Sequence, residues 1–156
     1  MGSNILIALD DSENAMRGVQ YVADNFKPGN KVTLFSVIPD TEALCQMNSK
    51  ELTPYFKSQQ TAFCTLEDKK KELVEMAQKK AKDFLINSGF NGEDITLKLG
   101  LKKKGIARDI VSEANQGYDL VVIGRRGLSG IKEFLLGSIS QKVLNLAKDV
   151  SVSIVN

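Results

Sequence analysis

The chain contains no histidine. That absence removes the usual base of a Ser-His-Asp triad and the commonest transition-metal ligand. Only two cysteines occur, Cys45 and Cys64, and their spacing matches no metal motif. They are expected to be free thiols in a reducing cytosol. No apolar run approaches the roughly 18 residues that a membrane-spanning helix needs. The formal net charge of +2 gives no global attraction to nucleic acid or a lipid surface. The opening "MGSNILIALD" lacks the basic region, long apolar stretch and cleavage site of a signal peptide. Together these absences predict a cytoplasmic protein with neither a nucleic-acid nor a membrane partner.

What is present fits a single domain. The 156 residues are 42% apolar and 26% charged, a globular balance, and no linker or internal repeat divides positions 1–156. "NILIALD" at 4–10 reads as a buried strand that stops at acids. Ala15, Val19, Val22 and Phe26 then mark one helix face, with Asp11 or Ser12 as its N-cap. "KVTLFSVIP" at 31–39 is a second strand. Residues 40–65 are the least regular stretch, read as an excursion or a short helix broken at Pro54. Leu73, Ala77, Ala81 and Phe84 predict the buried face of a long charged helix starting at Leu66. "DITLKLG" at 94–100 and "LVVIG" at 120–124 are further strands. Between them Ile106, Ile110, Val111 and Ala114 face inward on a helix. Ile139, Val143, Leu144 and Ala147 do the same on a helix from about Ser138, before "VSVSIV" at 150–155. The order βαβαβαβαβ predicts a parallel sheet covered by helices on both faces. The alternating serines of the last strand suit a sheet edge.

Gly124, Gly127, Gly130 and Gly137 crowd into one short span after the fourth strand. In a sheet of this kind ligands sit beyond the carboxyl ends of the strands, where strand order reverses. Glycine lets the backbone approach a ligand closely, and a helix start offers unpaired N–H groups to an anion. Ser138 and Ser140 add hydroxyls, and Asp10 ends the first strand nearby. The stretch is neither a Walker loop nor a dinucleotide fingerprint, because its spacing is GxxGxxG and no Gly-Lys-Ser/Thr follows. The residues alone leave two readings open, a nucleotide site and an ordinary turn with a capped helix.

Gly124, Gly127, Gly137 and Ser138 give G-x2-G-x9-G-S, which resembles the ATP-binding signature of the universal stress protein family. "ILIALDDSENA", "VTLFSVIP" and "DLVVIGRRG" resemble its first, second and fourth strands, leaving 40–65 as the part that varies. The resemblance implies a doubly wound five-stranded parallel sheet of order 3-2-1-4-5, of the adenine nucleotide alpha hydrolase-like type, and a homodimer. It also implies ATP, or AMP or ADP, with Mg2+ or Mn2+ carried by the phosphates. Adenine and ribose would lie against Ala8, Leu9, Asp10, Val37, Ile123 and Gly124. The phosphates would meet Arg126, Gly127, Gly130, Gly137, Ser138, Ile139 and Ser140. Arg125 and Arg126 stand where the family often has a small polar residue, and would clamp phosphate or point to solvent or a dimer partner. Lys102, Lys103 and Lys104 read as a solvated cluster. No carboxylate pair is placed for metal-assisted hydrolysis. The expected function is therefore an adenine-nucleotide-binding regulatory protein of the stress response, with slow or no turnover. The alternative is a nucleotide-free dimeric scaffold of the same fold. The loop after the first strand lacks the glycines that a pyrophosphatase-type ligase requires.

Overall fold

The computed structural model describes residues 2–10, 12–47, 53–125 and 137–156. Five strands form one sheet: β1 (Asn4–Ala8), β2 (Lys31–Ile38), β3 (Ile95–Leu101), β4 (Leu120–Gly124) and β5 (Ser151–Val155). Their spatial order is β3-β2-β1-β4-β5, and every pairing is parallel. The expected doubly wound sheet of order 3-2-1-4-5 is therefore the one observed. The helices are α1 (Glu13–Asn25), α2 (Glu42–Cys45), α3 (Pro54–Asn87), α4 (Ile106–Ala114) and α5 (Ser138–Leu146).

Strand periodicity sorts the core into two layers. On one face Ile5, Ile7, Leu34 and Val122 pack with Val19 and Val22 of α1 and Ala81 and Leu85 of α3. On the other, Leu6, Phe35, Val121 and Ile123 pack with Ile110 and Val111 of α4 and Val143 of α5. Alternate residues of β1 and β4 thus serve opposite layers, which is why these strands are apolar at nearly every position. β5 lies at an edge, and Ser151 is exposed there, as its alternating pattern predicts.

Four expectations need correction. Pro54 does not break a helix; it occupies the first turn of α3, where its missing N–H costs nothing, and Thr53 caps that turn by accepting from Phe56 N. The helix therefore starts at Pro54 rather than Leu66. Its buried side chains are Gln78, Ala81 and Leu85, whereas Leu73 and Phe84 are 49% and 37% exposed. Ala81 is buried and Ala77 packs against the core as predicted, but Gln78 and Leu85 complete the stripe in place of Leu73 and Phe84. Leu144 of α5 also faces solvent, since Ser140 and Val143 take the buried face. Finally, Cys45 and Cys64 are not free thiols but form a disulfide. α2 turns back onto α3 and brings their Cα atoms to 5.9 Å, within bridging range.

Gln78 explains its own burial. Its Nε2 donates to Leu34 O at 3.2 Å, Ser36 Oγ at 3.1 Å and Lys98 O at 3.0 Å. The side chain satisfies carbonyls of both β2 and β3 from the helix above them, and a buried polar group needs such partners. Replacing it by leucine keeps the volume and removes the donors. Gln78→Leu should lower the unfolding free energy by about 2 kcal/mol in urea titration. Lys70→Ala, which breaks the exposed ion pair with Glu67, should change it by less than about 0.5 kcal/mol. Equal effects of the two would contradict the structural role of Gln78.

Candidate functional site

The strand order reverses between β1 and β4, since β1 connects outward to β2 while β4 continues to β5. Their carboxyl ends diverge there, and a cleft of about 340 Å³ opens between them. One wall is the end of β1, with Ala8, Leu9 and Asp10. The floor and side are Phe35 and Val37 from β2. The opposite wall is Ile123 and Gly124 from β4 with Gly137, Ser138, Ile139 and Ser140 at the start of α5. Ser12 and Ala15 of the α1 entrance and Ile106 and Ile110 of α4 complete it. The lining is mostly apolar with a few polar groups, which is the usual make-up of a small-molecule site.

The walls are held by backbone hydrogen bonds. Leu9 N donates to Phe35 O at 2.9 Å, extending the β1–β2 ladder past the strand end. Ser36 Oγ donates to Leu9 O and accepts from Gln78, so the buried amide on α3 reaches the cleft wall through one hydroxyl. Asp10 Oδ1 accepts from Ser12 N at 2.8 Å, and Ser12 Oγ caps α1 by accepting from Ala15 N at 3.3 Å. This turn fixes the Asp10 carboxylate at the cleft edge.

The α5 side is built differently. Gly137 is the N-cap and supplies no side-chain acceptor, and the first turn holds no acidic residue. Gly137 N donates to Arg125 O at 2.8 Å. Ser140 Oγ donates to Gly124 O at 2.8 Å and lies 3.1 Å from Arg125 O. These contacts seat α5 against the end of β4. The N–H groups of Ser138, Ile139 and Ser140 belong to the turn that has no intrahelical acceptors, and they carry the positive end of the helix dipole. Ser138 is exposed, whereas Ser140 is 3% exposed. The Ser140 hydroxyl is thus tied to the backbone at the wall of the cleft.

Arg125 points away from the cleft: its Nη1 donates to Asn156 Oδ1 at 2.9 Å, beside β5, and its N–H donates to Val155 O at 2.7 Å. Of the other candidate residues, Arg126, Gly127 and Gly130 lie outside the described residues. The lysine cluster is exposed at 102–104. Asp109 accepts from Lys103 N at 2.8 Å and Lys104 N at 3.1 Å. The Lys103 N–H above all, with those of Lys104 and Gly105, holds the Asp109 carboxyl below the usual carboxylate range. Gly105, at φ 124°, lets this turn pass into α4 and sets Ile106 at the cleft rim.

Sequence reasoning missed Ser12, Ala15, Phe35, Ile106 and Ile110. Ile110 was readable as an inward helix face, but not as one opening onto the cleft; Ile106, also expected inward, is 37% exposed at the cleft rim. Phe35 depends on a neighbour. A Cβ added at Gly100 would lie 2.7 Å from Phe35 Cζ, so glycine on β3 makes room for the ring.

Comparison with known proteins follows this geometry. The sequence model of the family described as "Universal stress protein family" matches residues 1–155. The chain is 32% identical over 145 residues to universal stress protein Sll1388 of Synechocystis sp., covering 90% of each. Among solved structures it is similar to universal stress protein UspA from Lactobacillus plantarum, with TM-score 0.70 and 19% identity over 99% of this chain and 97% of that one. A universal stress protein in complex with cAMP superposes with TM-score 0.62 at 19% identity, covering 99% and 97%. At these identities the structural matches speak to the fold, which is the adenine nucleotide alpha hydrolase-like sheet. The sequence match over nearly the whole chain speaks to the family: this chain belongs to the universal stress protein family.

Proposed function

We propose that the cleft binds an adenine nucleotide, ATP or its products ADP and AMP, and that the protein is a cytoplasmic, homodimeric regulator of the stress response. The observation that carries this reading is the uncapped first turn of α5, which opens on the same cleft that holds Asp10 on its opposite wall. An unpaired helix start suits phosphate, and a carboxylate suits the hydroxyls of ribose. Phe35, Val37 and Ile106 give an apolar slot for a flat base. The adenine-nucleotide class is supported by the related fold solved with cAMP.

In this reading adenine lies against Val37 with Ala8 and Leu9, and Asp10 holds the ribose. Ile123 and Gly124 line the sugar. The phosphates meet the N–H groups of Ser138 and Ile139 and the Ser138 hydroxyl, with Arg126, Gly127 and Gly130 completing their seat. Ser140 keeps the seat in place without donating its hydroxyl. Mg2+ or Mn2+ would be carried by the phosphates; among the described residues no group of three or more acidic, cysteine or histidine side chains could hold it. The bound metal would supply charge neutralisation at the phosphates. This chain's residues would orient the nucleotide, with any turnover slow.

Three expected outcomes follow from these roles. Protein purified without added nucleotide and then denatured should release ATP, ADP or AMP by mass spectrometry, and Gly127→Val and Gly137→Val should abolish that release while keeping a cooperative melt. An empty protein that ATP and magnesium do not stabilise would favour the nucleotide-free scaffold. Ser138→Ala should weaken ATP binding about tenfold in calorimetry with little change in melting temperature, because the lost hydrogen bond is to a charged group. Ser140→Ala should instead lower the melting temperature, since Gly124 O loses its hydroxyl donor while Arg125 O keeps the Gly137 N–H; the reverse pattern would exchange their roles. Gly100→Ala should push the Phe35 ring toward the cleft and reduce affinity for adenosine and ATP alike. Unchanged affinity for both would remove Phe35 from the site.

A further inference from the structure

The arm formed by α2 and the first turns of α3 is held in an unusual way. α2 buries no residue, and the buried side chains of α3 all lie between Gln78 and Leu85. In the arm, Leu44, Tyr55, Phe56, Phe63 and Leu66 are between 40% and 69% exposed. Apolar burial therefore contributes little to fixing it. Among the described residues, what remains is Gln60, whose Nε2 donates to Leu44 O and to Met47 O, and the bond between Cys45 and Cys64. These are the two cysteines of the whole chain, and the cross-link spans a sequence separation of 19. Both are half-buried, so a small reagent can reach them.

We propose that Cys45–Cys64 is a reversible thiol–disulfide site that takes small or protein dithiols as reductants, and that its closure fixes α2 on α3 while its opening releases the arm. The inference rests on the cytoplasmic placement proposed above, because a disulfide in a thiol-rich compartment persists only if it resists exchange. Opening is a two-step exchange. A thiolate of the reductant attacks one sulfur of the pair; the protein S–S bond breaks, and the other sulfur leaves as a thiolate that takes a proton from water. The second thiol of the reductant then displaces the first protein sulfur and closes a cyclic disulfide. Two electrons and two protons pass to the cysteine pair, and the reductant is oxidised by the same amount. A disulfide of the glutathione type reverses the process. Nothing in the described core must move for this to happen, because no described residue of the arm belongs to its clusters or packs against them, and such weakly packed segments open at low free-energy cost.

The test follows amide exchange by mass spectrometry in the full chain, without nucleotide. Glutathione disulfide should close the pair, and millimolar dithiothreitol in native buffer should reopen it, with both thiols then alkylated. Reduction should raise exchange in 42–47 and 54–64 by about tenfold or more, as expected for local release, and leave β1, β2 and β4 unchanged. Cys45→Ser and Cys64→Ser should match the reduced protein under both conditions. The proposal is overturned if no disulfide forms with glutathione disulfide. It is equally overturned if the bond resists dithiothreitol until the whole domain unfolds, which would make it a permanent staple and contradict the compartment. Equal exchange of the arm in both states would also sink it. None of these outcomes depends on whether the cleft binds nucleotide.

Discussion

The seating of α5 against the end of β4 is the constraint on which the cleft depends. Two carbonyls, those of Gly124 and Arg125, are approached by the Gly137 N–H and the Ser140 hydroxyl. Those bonds use the donors that lie behind the helix start, and among the described residues no side chain caps the donors in front of it. A capping serine or aspartate at position 137 would turn this end inward and satisfy it locally. Glycine there supplies no acceptor, so the partial charge of the helix is directed at whatever occupies the cleft. The same carbonyl-bearing residue, Arg125, is anchored through its N–H to Val155 and through its guanidinium to Asn156. The back of the site is thus fastened to the edge strand β5.

A second route of support comes from the opposite layer. Gln78 on α3 touches Ser36, and Ser36 holds the carbonyl of Leu9, which lines the cleft. This places a buried polar chain between the long helix and the site wall. Such a chain is demanding, since each member needs its partners, but when satisfied it fixes geometry more sharply than apolar packing does. The strand end that carries Asp10 is therefore positioned by two helices of one layer: by the α1 cap at Ser12 and by the α3 amide through Ser36.

The strands were legible because burial on both faces leaves a continuous apolar signature, and their parallel pairing because strands alternate with helices; their order 3-2-1-4-5 came from the family resemblance. Gly124, Gly137 and Asp10 line the cleft that opens where strand order reverses, whereas Gly127 and Gly130 lie outside the described residues. What could not be read depends on contacts between distant positions. Phe35 looks like any core aromatic until Gly100 is seen beneath its ring. The carbonyls of Gly124 and Arg125 beside the Ser140 hydroxyl are likewise invisible from its place in the chain. Leu73 and Phe84 suggested the wrong helix face because exposed apolar residues follow a helical spacing as regular as that of the buried stripe, and because Gln78, a polar residue, belongs to the latter. The cysteine pair was hidden by chain distance alone.

That pair exposes a division within the fold. The sheet and its helices are held by apolar layers whose central side chains are fully buried, so their order is collective and lost together. The arm at the start of α3 has almost no share in those layers. A helix segment of this kind, isolated in water, is marginal by itself because its nucleation is unfavourable and its hydrogen bonds exchange with solvent. Continuity with the buried half of α3 nucleates it from one end, and the cross-link to α2 restrains it near the other. Removing the restraint shifts the balance of the arm without touching the core, since the two are connected through one helix and not through a shared hydrophobic layer. The molecule therefore places a segment of adjustable order next to a rigid sheet, and the order of that segment is set by covalent chemistry rather than by packing.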